Sequence, residues 1–128
     1  MKLLLDTHAF IWWDSEPSKL PSHVLSLCES QENSLLLSVA SVSEMQIKLE
    51  LGKLRLRLPL AQLIEGQQQT NGVELLTVRL EHVLRLGALP AHHRDPFDRM
   101  LIAQAQVEDI AVVSGDPLFR KYPAKVIW

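Results

Sequence analysis

Apolar residues occur in this chain as short unbroken runs separated by segments of helical spacing. Lys2–Leu5 stops abruptly at Asp6, Leu35–Val39 sits between Asn33-Ser34 and a group of serines, and Val73–Val78 follows Asn71-Gly72. Ile110–Val113 and Lys125–Trp128 are two further runs of the same kind. Runs that are apolar throughout, rather than alternating, suit strands covered on both faces. Helical signals fill the gaps. Phe10, Ile11 and Trp12 open a first helix that stops at Glu16-Pro17-Ser18, and Val24, Leu25, Leu27 and Cys28 mark a second. Ser41 begins a third, with Val42, Met45 and Leu49 on one face and Gly52 in the position of a C-terminal glycine. Leu60–Gln69 is a fourth, and Arg79–Leu89 a fifth, with Val83, Leu84 and Leu86 apolar. Asp95-Pro96 starts a sixth as N-cap and first helical residue, and Asp116–Lys121 forms a short last one.

This alternation, without repeat or linker, predicts one α/β domain over residues 1–128, a parallel sheet of about five strands with helices on both faces. Right-handed crossovers then bring the carboxyl ends of all strands to one edge. The pattern leaves the order of the strands open.

Composition narrows the function. With 47% apolar residues in 128, the chain can bury a proper core, but no apolar run is long enough to cross a bilayer. The lone Cys28 excludes a disulfide framework and a cysteine zinc site. A soluble cytoplasmic protein is expected. A net charge of −2 excludes binding nucleic acid through bulk basicity, so such binding needs a local cationic patch.

The acidic residues carry the chemistry. Asp6 closes the first strand, Asp116 follows the fourth after Ser114-Gly115, and Glu44 lies early in the helix entered from the second. Asp98 lies in the first turn of the helix opened by Asp95-Pro96 and shares a stripe with Leu101, Ile102 and Ala105, so it should face inward. Ligands of open α/β sheets bind at the carboxyl edge, where these four acids would meet. Gathered carboxylates repel one another unless a cation holds them, and oxygen ligands suit Mg²⁺ or Mn²⁺. Local roles compete for each acid. Asp95 and Asp116 fit helix caps, Asp98 a capping-box-like arrangement, and Glu44 a first-turn acid; Asp6 has no evident local role.

Leu3-Leu4-Leu5-Asp6-Thr7-His8, Ser41-Val42-Ser43-Glu44, His93-Arg94-Asp95-Pro96-Phe97-Asp98-Arg99 with Leu101-Ile102-Ala103-Gln104-Ala105, and Ser114-Gly115-Asp116 together resemble the PIN-domain ribonucleases of the VapC toxin type. The resemblance covers essentially the whole chain. It implies a three-layer α/β/α fold and a metal site formed by Asp6, Glu44, Asp98 and Asp116. It also implies Mg²⁺- or Mn²⁺-dependent cleavage of RNA to a 5′-phosphate and a 3′-hydroxyl. A cognate antitoxin that blocks the site, and a toxin homodimer or larger toxin–antitoxin assembly, belong to the same expectation. Ser114 stands where many relatives have Thr, which keeps a hydroxyl near the metal. Whether Asp95 touches metal or only caps its helix is left open by the motif, as is Glu44 as ligand or water-positioner.

In such a site the metal lowers the pKa of a bound water and neutralises charge on the phosphate. Thr7, Ser114, Asp95, Arg94 and Arg99 are the supporting or RNA-contacting candidates, with Arg94 and Arg99 beside His92 and His93. Lys48, Lys53, Arg55 and Arg57 form a basic stretch that either meets phosphates or is a solvated surface. The histidine pair reads as a surface loop, and the bulky Phe10–Trp13 block as part core, part dimer or antitoxin surface. Two other classes fit less well. A phosphatase using Asp6 as nucleophile wants a second Asp where His8 stands, and a receiver domain wants an acid where Val73–Val78 runs into Arg79. A non-catalytic PIN-like module binding RNA or a partner is the alternative that keeps the fold.

Overall fold

A computed structural model describes residues 1–128. Its strands are β1 (Lys2–Leu5), β2 (Ser34–Ser38), β3 (Glu74–Leu76), β4 (Ala111–Val113) and β5 (Val126–Ile127). All pair in parallel, in the order β3-β2-β1-β4-β5. The helices are α1 (Thr7–Ser15), α2 (Ser22–Glu29), α3 (Val39–Glu50), α4 (Leu60–Asn71), α5 (Leu80–Leu86) and α6 (Pro96–Glu108). None is long and apolar enough to cross a membrane.

Each central strand feeds two cores. Leu3, Leu5, Leu35 and Leu37 face one side, packed with Phe10 of α1, Val24 of α2, Met45 of α3 and Leu63 of α4. Leu4, Leu36 and Val112 face the other, against Leu101, Ile102 and Ala105 of α6 and against Phe119 and Tyr122. Two-sided burial explains why the strands read as unbroken apolar runs. The three-layer α/β/α expectation holds, and the strand order adds what the sequence left open. From β1 the chain winds outward through β2 to β3, then crosses back to β4 and β5 on the other side. The switch point therefore lies between the carboxyl ends of β1 and β4, where ligands of such sheets bind.

Several elements differ in extent from the sequence pattern. The third helix starts at Val39, because the Ser38 hydroxyl caps it by accepting the Ala40 N–H at 3.0 Å. The third strand keeps only Glu74–Leu76, as befits an edge strand with one neighbour. α5 is the clearest departure. Its fully buried residue is His82, whereas Leu80, Val83 and Leu84 are exposed at 71%, 44% and 67%. His82 accepts the Arg79 N–H on Nδ1 and points Nε2 at Glu108 of α6, so a polar network docks this helix. In α1, by contrast, Phe10 is buried and Ile11, Trp12 and Trp13 all pack against the core. The core part of that block is Phe10, its other members are half-buried, and further exposed apolar surface lies on α5.

Candidate functional site

The site grows from the ends of β1 and β4. The Asp6 N–H extends the ladder by donating to the Val113 carbonyl at 3.0 Å. Its carboxylate accepts the Ala9 N–H at 2.7 Å and so caps α1, a local role that the sequence did not suggest. Burial raises the Asp6 pKa, against hydrogen bonds from Ser114 and Ala9 that lower it, and Glu44 adds to the rise. Ser114 links the two strand ends. Its hydroxyl bonds to Asp6 and accepts the Asp116 N–H at 3.1 Å.

Glu44 reaches the same edge from α3 and is 5% exposed. Its Oε1 accepts the Thr7 hydroxyl and its Oε2 faces the Lys48 ammonium, each at 2.7 Å. Thr7 and Lys48 thus fix both oxygens. Lys48 came from the expected basic stretch, but its spacing of one helical turn from Glu44 directs it inward.

Asp98 is delivered by α6. Asp95 caps that helix, its Oδ1 accepting the Phe97 and Asp98 N–H groups at 2.8 and 3.1 Å. The inward stripe holds, since Leu101, Ile102 and Ala105 are all buried. Burial, then the neighbouring Asp95, pushes Asp98 up to about 7, with Asp6 and Glu44 adding and His93 opposing. Asp116 caps the last helical turn through Oδ1, bonded to the Leu118 N–H at 2.9 Å, and leaves Oδ2 facing the cluster.

The tightest group was not expected from the sequence. His93 Nε2 lies 2.8 Å from Asp116 Oδ2 and 3.0 Å from Asp98 Oδ2. These three side chains hold their ligand atoms within 4.8 Å of one another, with Asp6 and Glu44 outside that distance. The His93 side chain is only 9% exposed, so this member of the pair is not a surface loop residue. The nearest signal in the sequence is its place two residues before the Asp95-Pro96 cap. That is too little to find it.

Beside the acids runs a cleft of about 460 Å³ lined by Asp6, His8, Trp12, Gly115, Asp116 and Trp128. The Trp12 and Trp128 rings are 6.0 Å apart, as are His8 and Trp12. Gly115 is required here, because a Cβ would stand 2.6 Å from the Trp128 indole. The cations divide. Arg94, Lys53 and Arg55 are exposed, while Arg57 pairs with Asp14 at 2.7 Å, away from the site. Arg99 donates to the Pro90 and Leu86 carbonyls at 3.0 and 3.2 Å, which anchors the loop before α6.

A profile of the PIN domain family matches residues 3–125. No curated protein matches the sequence significantly. Among solved structures, the chain resembles VapBC2 from Rickettsia felis bound to a fragment of promoter DNA. There the TM-score is 0.73 at 14% identity, covering 99% of this chain and 98% of that one. DNA-bound VapBC from Salmonella typhimurium gives 0.70 at 17% identity over 99% and 97%. A toxin–antitoxin complex from Klebsiella pneumoniae gives 0.62 at 15% identity over 98% and 96%. The profile match runs over nearly the whole sequence and the shared architecture over nearly the whole fold: this chain belongs to the PIN domain family.

Proposed function

We propose that this PIN domain is a Mg²⁺- or Mn²⁺-dependent endoribonuclease and the toxin of a toxin–antitoxin pair. The observation that carries the reading is the gathering of acids at the switch point, where Asp98 and Asp116 lie with His93 within 4.8 Å and where burial and the nearby Asp95, Asp6 and Glu44 push Asp98 up to about 7. A carboxylate cluster so short of positive charge fits a hard divalent cation held by oxygen. The fold neighbours add weight to the toxin reading, one being a toxin–antitoxin complex.

Asp6, Asp98 and Asp116 are assigned as the metal-holding residues. A divalent ion there supplies positive charge for the scissile phosphate and a water of lowered pKa. Glu44 has both oxygens engaged by Thr7 and Lys48, which suits it to orient that water rather than to move. Ser114 keeps Asp6 and Asp116 in register, and Asp95 holds the start of α6 so that Asp98 faces in. The aromatic wall of His8, Trp12 and Trp128 offers stacking faces to an unpaired base beside the acids. Exposed Arg94, Lys53 and Arg55 supply the local cationic contacts that a chain of net −2 needs. The apolar Leu80, Val83 and Leu84 on α5 are the proposed contact for an antitoxin or a second toxin copy.

Purified protein free of antitoxin is to be incubated with total cellular RNA in Mg²⁺, in Mn²⁺ and in EDTA, beside Asp98→Asn. Discrete fragments that need metal and vanish in the variant are expected. Cleavage that persists in both EDTA and Asp98→Asn contradicts the mechanism, and no cleavage by folded, metal-binding protein favours the non-catalytic module.

A further inference from the structure

His93 is held from every side. Its backbone N–H donates to the Tyr122 hydroxyl at 2.8 Å, and its ring stands edge-on to Phe119 at 5.9 Å and 82°. Its Nδ1 accepts the Asp95 backbone N–H at 3.1 Å. That last bond decides the chemistry of the ring. A nitrogen that accepts a backbone N–H carries no proton of its own, so in the neutral ring the proton sits on Nε2. Nε2 is the atom placed between Asp116 Oδ2 and Asp98 Oδ2. An N–H has no lone pair to offer a metal. Turning the ring into a ligand through Nε2 would put the proton on Nδ1, head-on against the Asp95 N–H.

From this geometry we propose that His93 is a built-in occupant of the acid cluster, whose Nε2–H holds Asp98 and Asp116 together and must move aside before a divalent cation binds. It therefore weakens cation affinity instead of contributing to it. This rests on the reading of the acids as a metal centre and adds a regulation of that site. Across the cluster Lys48 supplies Glu44 with its positive charge, the ammonium 2.7 Å from Oε2. Together the two donors keep mutually repelling carboxylates in place without metal, and set a threshold concentration that the cation has to exceed.

The test is a Mn²⁺ titration, with free Mn²⁺ read by its electron paramagnetic resonance signal, on wild type, His93→Ala, His93→Gln and Asp98→Asn. Circular dichroism checks that each is folded. His93→Ala is expected to bind Mn²⁺ three- to tenfold more tightly, and His93→Gln, which keeps an N–H donor, to stay near wild type. Long-range ¹⁵N–¹H spectra of the metal-free protein should show the His93 proton on Nε2. Weaker or unchanged Mn²⁺ binding by His93→Ala, or a proton on Nδ1, overturns the role of His93 while leaving the metal centre standing, provided that wild type binds and Asp98→Asn does not. Failure of wild type to bind millimolar Mn²⁺ overturns both.

Discussion

Two sets of carboxylates in this molecule live under opposite conditions. Away from the site, burial works against Asp14 and Glu108, yet hydrogen bonds overcome it and both lie below the usual carboxylate range. Asp14 accepts from Arg57 and from Gln67, and Glu108 faces Arg79 and His82. At the switch point, burial works on Asp6 and Asp98 and the available donors do not overcome it, so both are raised. The fold pairs Asp14 and Glu108 and under-compensates Asp6 and Asp98 at the carboxyl edge. Such a deficit is costly for stability, and under the proposed function it is the place for a divalent cation.

The contrast breaks most visibly in activity. Asp116→Asn is expected to lower RNA cleavage at least about 100-fold, roughly 2.7 kcal/mol of barrier, in single-turnover assays. Asp14→Ala should leave that rate within about twofold. It should instead cost about 1–2 kcal/mol of stability in urea unfolding, because Gln67 and Arg57 lose their shared acceptor. Swapped outcomes would mean that the two sets have been assigned the wrong way round.

Protonation sharpens the same contrast. Asp98 binds its proton more tightly folded than unfolded, its folded value being about 7 against an ordinary 3.8. Its contribution to stability is therefore most favourable below pH 4 and falls as the pH rises toward 7. Metal-free Asp98→Asn should match wild type in acid and exceed it by several kcal/mol, at most about 4, at pH 8, in denaturant melts across that range. Glu108 has the opposite sign. Its lowered value makes its stabilisation present above about pH 4.5 and lost as the pH falls through the folded value. Glu108→Gln should cost about 0.5 kcal/mol near neutrality and nothing in strong acid.

What the sequence could show follows from the range over which each feature is determined. The strands were legible because two-sided burial leaves an unbroken apolar run, and the inward turn of Asp98 because helical stripes are local. The Asp95 cap was legible for the same reason. Strand order was not, since it depends on pairing between segments far apart, such as Leu3 with Leu35 and with Ala111. α5 misled because its apolar Leu80, Val83 and Leu84 face solvent while His82 is buried, an arrangement that only Glu108 on another helix explains. His93 and the Thr7–Glu44 bond were missed likewise. The partners of His93 lie 5 and 23 residues away and that of Thr7 lies 37 away, so no spacing rule links them.

The central claim is that the switch-point acids bind a divalent cation. Thermal unfolding at neutral pH, in EDTA and in millimolar Mn²⁺, tests it most directly, because a ligand that binds only the folded chain raises the melting temperature. Wild type should gain at least about 4 °C in Mn²⁺, and Asp98→Asn should gain almost none. Equal melting temperatures for wild type with and without Mn²⁺ would contradict the account.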